Sequence, residues 1–189
     1  YLFTKDKNFL DNKVTFLNKS TKSILKQIHT NRNHSPEFNQ LVDPSYSCDP
    51  LSQKDYYFSD NFWAANSLST CTKLFNELQK PYPNELLEST SKSYIKRLER
   101  IIKKCHQENS HYYIPVSPTK CFDSRLIYSL VSLYPLNLLK HTNPLIENTL
   151  EQIEKNYLLN SIYFNQSTPA GFNSFHNMRL ANTYAITKN

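Results

Sequence analysis

The sequence predicts an all-α protein of antiparallel α-hairpins with its long loops at one end. Three observations lead there. Apolar residues recur at helical spacing along most of the chain, strand signals are confined to "HYYIPV" and "IYF", and long and short connections alternate. Stacked hairpins alternate in this way, because a short turn joins each pair of helices and a longer crossing leads to the next pair. A sizeable core is affordable, since 39% of the 189 residues are apolar and 13% are aromatic.

The first helix is predicted from Val14, Leu17, Thr21, Ile24, Leu25 and Ile28, which form one stripe. Residues 31–58, "NRNHSPEFNQLVDPSYSCDPLSQKDYYF", form a long irregular loop rich in Pro, Asn and Ser. The second helix carries Ala64, Leu68, Cys71, Leu74, Phe75 and Leu78, and "KPYP" at 80–83 ends it. The third carries Leu87, Tyr94, Ile95, Leu98, Ile101, Ile102 and Cys105, and leads into an aromatic loop at 108–123.

A fourth helix is predicted to begin near Ser124, with Ile127, Leu130, Val131, Leu133, Tyr134 and Leu136, until Pro135 kinks or ends it. Asn143-Pro144 opens the fifth, an N-cap followed by proline at the first position, with Leu145, Leu150, Ile153 and Tyr157 along one face. The third long loop, 160–173, holds the chain's single glycine, Gly171. Asn173 or Ser174 is placed to cap a last helix bearing Phe175, Met178, Ala181 and Ile186.

Average usage of roughly 7% would give about 13 glycines, so one is a strong deviation. Lys, Asn, Ile, Tyr and Phe abound, as A/T-rich codons would favour. The net charge of +6 is therefore weak evidence for a nucleic-acid partner, and none is expected. A basic face on the third helix (Lys96, Arg100, Lys103, Lys104) is interrupted by Glu99 and reads as solvated surface. No apolar run is long enough to span a membrane. Cys48, Cys71, Cys105 and Cys121 form no C-x-x-C pair, so no metal site is expected. The absence of phosphate-loop, H-E-x-x-H and G-x-S-x-G motifs leaves no cofactor to expect.

"SDNFWAANSL" at 59–68 sets a Ser and an Asp at a helix mouth beside the only Trp. Asp60 there is either a helix N-cap or a carboxylate at the rim of a pocket. Taken with "YIPVSPTKCFDSRLIYSLVSLYPLNLL" (113–139) and "AGFNSFHNMRLANTYAITKN" (170–189), this stretch resembles the six-hairpin glycosidases. These are the (α/α)6-toroid enzymes related to glucoamylase-type and glycogen-debranching-type glycoside hydrolases. The matching elements are Ile114-Pro115-Val116-Ser117-Pro118, Tyr134-Pro135-Leu136, and Gly171-Phe172-Asn173 followed by Leu180-Ala181. The resemblance covers roughly residues 57–189. Pro169 and Ala170 stand where the family has His and Ser, and His176 stands where Thr is usual.

The resemblance implies that residues 1–189 form one helical domain, a C-terminal portion of a larger (α/α)6 toroid. Its partners would be a saccharide substrate and the rest of the same chain. A half-ring would leave the apolar face of 125–134 uncovered. The implied activity is hydrolysis of an α-linked glucoside or related saccharide, by inversion. That needs two carboxylates about 6.5–9.5 Å apart, one donating a proton and one activating water. The long-loop ends offer Asp49, Asp55, Asp60 and Asp123, whereas Glu77, Glu88, Glu99, Glu151 and Glu154 lie on helix surfaces. Asp60 and Asp123 are the catalytic candidates, with a second carboxylate outside this chain as the other possibility. Asp123 is equally suited to capping, with Arg125 neutralising it. Trp63, Asn61, Tyr57, Arg125, Tyr113, Asn173 and His176 are the substrate-binding candidates. The aromatic members would pack on sugar faces or between hairpins. A non-catalytic α-hairpin domain that binds a protein is the alternative function.

Overall fold

The computed structural model describes residues 6–30, 41–46, 53–79, 84–109, 112–166 and 171–187. Among these the protein is mainly α-helical. The helices are α1 (Lys7–Thr30), α2 (Phe58–Glu77), α3 (Asn84–Asn109), α4 (Pro144–Tyr157) and α5 (Ser174–Thr187), with a 3-10 segment at Ser124–Ser132. A small antiparallel sheet consists of β1 (Leu158–Leu159), β2 (Ile162–Asn165) and β3 (Gly171–Phe172), in the order β1-β2-β3. "IYF" thus lies in a strand, whereas the described part of "HYYIPV" has no strand. Asp49, Cys48 and the "KPYP" stop lie outside the described residues.

The chain divides into two compact units. The first comprises Tyr1–Asp43 and Ala64–Arg97. Leu10, Thr21 and Ile28 are its buried positions on α1, and Val14, Leu17, Ile24 and Leu25 are half-buried. Ala65, Leu68, Phe75, Leu87 and Tyr94 are almost wholly buried. The Tyr94 hydroxyl accepts from Val42 N at 3.2 Å, and Ser91 Oγ donates to Ala65 O at 2.8 Å. These bonds satisfy polar groups that burial would otherwise leave costly.

The second unit, Pro44–Trp63 and Leu98–Asn189, is built around the 3-10 segment, against which α4, α5 and β2 pack. The fourth helix is thus corrected from a regular helix to tight 3-10 winding. Its bonds run from i to i−3, as from Leu126 N to Asp123 O and from Leu133 N to Leu130 O. After it the chain folds back, and Ser132 O accepts from both Leu138 N and Leu139 N. The segment is buried on nearly every side, so the expected uncovered face at 125–134 is confined to Tyr134, which is 40% exposed, and Leu126, Ile127 and Leu130 are wholly enclosed.

α4 begins as its sequence predicts, with Asn143 Oδ1 accepting from Leu145 N at 3.0 Å and Pro144 at the first position. Asn143→Ala should cost about 1 kcal/mol, because it strands an N-terminal donor. Chemical denaturation would check this, and a loss below a few tenths of a kcal/mol would contradict it. β1 and β2 join through Asn160-Ser161, both at positive φ (51° and 64°), the backbone of a two-residue hairpin turn. Gly171 has φ 149°, a conformation that residues with a Cβ rarely adopt.

Parts of all three long loops meet other segments inside this unit. Ser45 and Asp55 bridge, Phe58 N donates to Val116 O at 3.1 Å, and Ser124 Oγ donates to Asn165 Oδ1 at 2.8 Å. The buried Asp55 carboxylate accepts from Ser117 Oγ (2.6 Å), Thr119 Oγ1 (2.5 Å) and Tyr56 N (2.8 Å). It ties the first long loop to the second and is fully engaged in doing so.

Candidate functional site

α2 starts at Phe58, so Asp60 lies in its first turn rather than at the cap. The bond from Phe58 N to Val116 O anchors that start two residues before the Asp. A carboxylate in the first turn still favours the helix dipole. Asp60 is half-buried; Ser45 Oγ donates to its Oδ2, and Ser59 Oγ to its Oδ1 at 3.2 Å. Asn61, expected to touch substrate, is instead wholly buried, and its amide donates to Tyr57 O at 2.7 Å. Its place one turn after Tyr57 turns the side chain into the core.

Asp123, Arg125 and Tyr57 come together as a cluster in which Arg125 and Tyr57 are buried and Asp123 is half-buried. Asp123 caps the 3-10 segment by accepting from Arg125 N at 2.7 Å. The Arg125 guanidinium also pairs with both carboxylate oxygens, from Nε to each and from Nη2 to Oδ2. Arg125 Nη1 donates to the Tyr57 hydroxyl at 2.7 Å, and Tyr57 in turn donates to Gln53 O at 2.6 Å. Arg125 and Tyr57 are 8% and 1% exposed. Both Asp123 oxygens accept bonds from Arg125.

Tyr113 is buried as well, edge-on to Phe122 and His106, and burial pushes its hydroxyl up to about 12. It belongs to a run of ring contacts, Tyr113 to Phe122 to Tyr157 to Tyr163 to His176. Packing accounts for these aromatics. Asn173 caps α5, accepting from Phe175 N at 2.9 Å and His176 N at 3.3 Å.

Trp63 behaves differently. It is 45% exposed and lines an open cleft of about 340 Å³. The other walls are Tyr134 and Pro135, after the 3-10 segment, and Phe175, Met178, Arg179 and Asn182 on α5. The predicted apolar face of α5 is corrected accordingly. Phe175, Met178 and Ala181 are exposed, whereas His176, Leu180 and Thr183 are buried. Arg179 lies with its guanidinium carbon 4.8 Å from the Phe175 ring centroid and 5.8 Å from that of Tyr128. Arg179 and Asn182 carry no separate mark in the sequence.

His176 stands behind the cleft wall, 4% exposed, with Nε2 3.1 Å from the Tyr128 hydroxyl. Its Nδ1 is buried with no hydrogen-bond partner. Burial, assisted by the Arg179 cation, pushes the imidazole down to about 4 from its ordinary 6.5. The unfolded chain therefore binds more protons between about pH 4 and 6.5. This contribution to stability is whole above 6.5 and is lost as pH falls towards 4, by up to about 3 kcal/mol. Melting curves of the protein and His176→Gln between pH 4 and 7 should show a shallower acid loss in the variant, and parallel profiles would contradict it.

Among the described residues no helix is long and apolar enough to cross a membrane. Cys71 and Cys105 are buried and Cys121 is half-buried. No protein-family model, curated protein or solved structure matches the chain.

Proposed function

We propose that the protein is a saccharide-binding, glycoside hydrolase-like domain, and that the cleft at Trp63 holds an α-linked glucoside or related saccharide. One observation carries the reading. All three segments that resemble six-hairpin glycosidases contribute to this one cleft: Trp63 from the first, Tyr134 and Pro135 from the second, Phe175 and Asn182 from the third. An exposed Trp ring offers a flat apolar face for the C–H face of a pyranose, and Asn182 adds an amide that can bond hydroxyls. Asp60 lies three residues before Trp63 on α2, so the two share one side of the helix. It is the carboxylate proposed for acid/base work. An arrangement of hairpins within an (α/α)6 toroid is part of the same proposal, supported by the alternation of long and short connections and by the contacts among the long-loop segments.

Because the chain has a single Trp, its fluorescence reports this cleft alone. Titration with malto-oligosaccharides should change the emission saturably. Trp63→Ala should weaken binding measured by calorimetry about tenfold or more, as expected for loss of an aromatic anchor. A second reading, an α-hairpin domain that binds a protein, is favoured by Phe175 and Met178, which are 52% and 60% exposed. Absence of any saccharide binding would leave that reading in place of the first.

A further inference from the structure

We propose that the outward face of α1 docks on an anionic lipid surface, with Phe9 and Phe16 entering the headgroup region and Lys13 and Lys19 meeting the lipid anions on either side. This docking does not depend on the saccharide reading. The inner side of α1 belongs to the core: Leu10, Thr21 and Ile28 are buried, and Val14, Leu17, Ile24 and Leu25 are half-buried. The other side carries two phenylalanines, Phe9 at 51% and Phe16 at 67% exposed. One exposed apolar side chain is ordinary on a protein surface, but two in line on a basic helix form a pattern.

At about 100° per residue, the two rings stand about two turns apart and within about 20° of one line along the helix. Lys13 lies about 50° to one side of that line and Lys19 about 70° to the other. Both lysines are exposed, and Lys13 Nζ stands 5.7 Å from the Phe9 ring centroid. Neither forms an ion pair among the described residues. Residues 6–30 hold five lysines against two aspartates, Asp6 and Asp11. Asp6 accepts from Phe9 N at 3.0 Å at the helix mouth. Asp11 lies about 150° round the helix from the rings. The spacing suits a lipid surface better than a groove on a protein. A helix in a groove offers apolar anchors at i, i+3, i+4 and i+7. Here Asn12, Lys13, Lys19 and Ser20 fill the places three and four after each ring. A planar anionic surface meets the lysines of both flanks at once and takes the rings between them. The contact is peripheral, since no described helix is long and apolar enough to cross a membrane.

The test sediments the whole chain with vesicles of phosphatidylcholine alone and of a phosphatidylcholine–phosphatidylserine mixture, at low and moderate salt. Binding to the mixture should be about 10- to 30-fold tighter, as two lysines at an anionic surface predict, and the advantage should shrink with salt. Lys13→Glu/Lys19→Glu should remove the preference. Phe9→Ser/Phe16→Ser should weaken binding to the mixture about tenfold or more, because the rings supply the apolar burial. Melting curves of both variants should match that of the native protein, since all four side chains are exposed. Should the phenylalanine variant fail to fold, the lysine variant and the salt series still decide the matter. No binding to the mixture, equal binding to both vesicles, or binding that either double variant keeps in full would overturn the proposal. Binding to polyglutamate in solution with both vesicles ignored would put an acidic protein in place of the lipid and overturn it likewise. None of these outcomes alters saccharide binding at Trp63, so the two readings fail separately.

Discussion

Asp60→Asn is expected to lower saccharide hydrolysis by about 10²- to 10⁴-fold, the usual contribution of a positioned acid or base. The fold should tolerate the change. Asn keeps a carbonyl oxygen for one serine hydroxyl, and Ser45 Oγ, a donor to Asp60 now, can accept from the new amide. The helix loses a favourable first-turn charge, worth about 0.3–1 kcal/mol. That corresponds to a melting shift of a few degrees at most for a chain of this size. Turnover of a panel of α- and β-linked substrates should be measured beside melting curves. Unchanged turnover would reduce Asp60 to a serine-clasped structural residue. An inactive native protein that still binds saccharides would confine the function to binding.

Asp123→Ala should instead show its effect in stability. The substitution removes the cap of the 3-10 segment and leaves the Arg125 guanidinium, 8% exposed, without its carboxylate. Breaking one side of a buried ion pair costs about 3–5 kcal/mol. That is a large share of the 5–15 kcal/mol that typically holds a domain together, and should lower the melting temperature by roughly 6–20 °C. The double variant Asp123→Ala/Arg125→Met should recover part of the loss, because replacing both partners avoids a stranded charge. A single variant within about 1 kcal/mol of the native protein would contradict the structural role. Loss of turnover with stability intact would support the catalytic reading of Asp123.

The legible parts of the sequence were those whose determinants lie within a few residues. Asn143-Pro144 marks the start of α4 because cap and first turn are adjacent in sequence. Asp123 beside Arg125 was readable as a cap and a neutralised pair for the same reason. The face of α5 was misread because hydropathy favours Phe175 and Met178, whereas His176 and Thr183 are the buried residues. Burial is bearable there because the His ring meets Tyr128 Oη and Thr183 Oγ1 donates to Arg179 O at 2.9 Å. Asp60 as an N-cap would start α2 at Asn61, three residues late, because the start at Phe58 is held by a bond to the distant Val116.

The sequence by itself determined the mainly helical character, the capped start of α4 and the Asp123–Arg125 pair. Tertiary structure alone decided that Ser45 clasps Asp60, that Tyr57 completes the Arg125 cluster, and that Tyr134 and Arg179 wall a cleft with Trp63. The physical reason is the range of the interactions. Caps, turns and helical spacing are settled by hydrogen bonds and sterics over about four residues, which a linear pattern displays. A cleft assembled from positions 63, 134 and 179 exists only once packing has decided which side of each segment faces its neighbour.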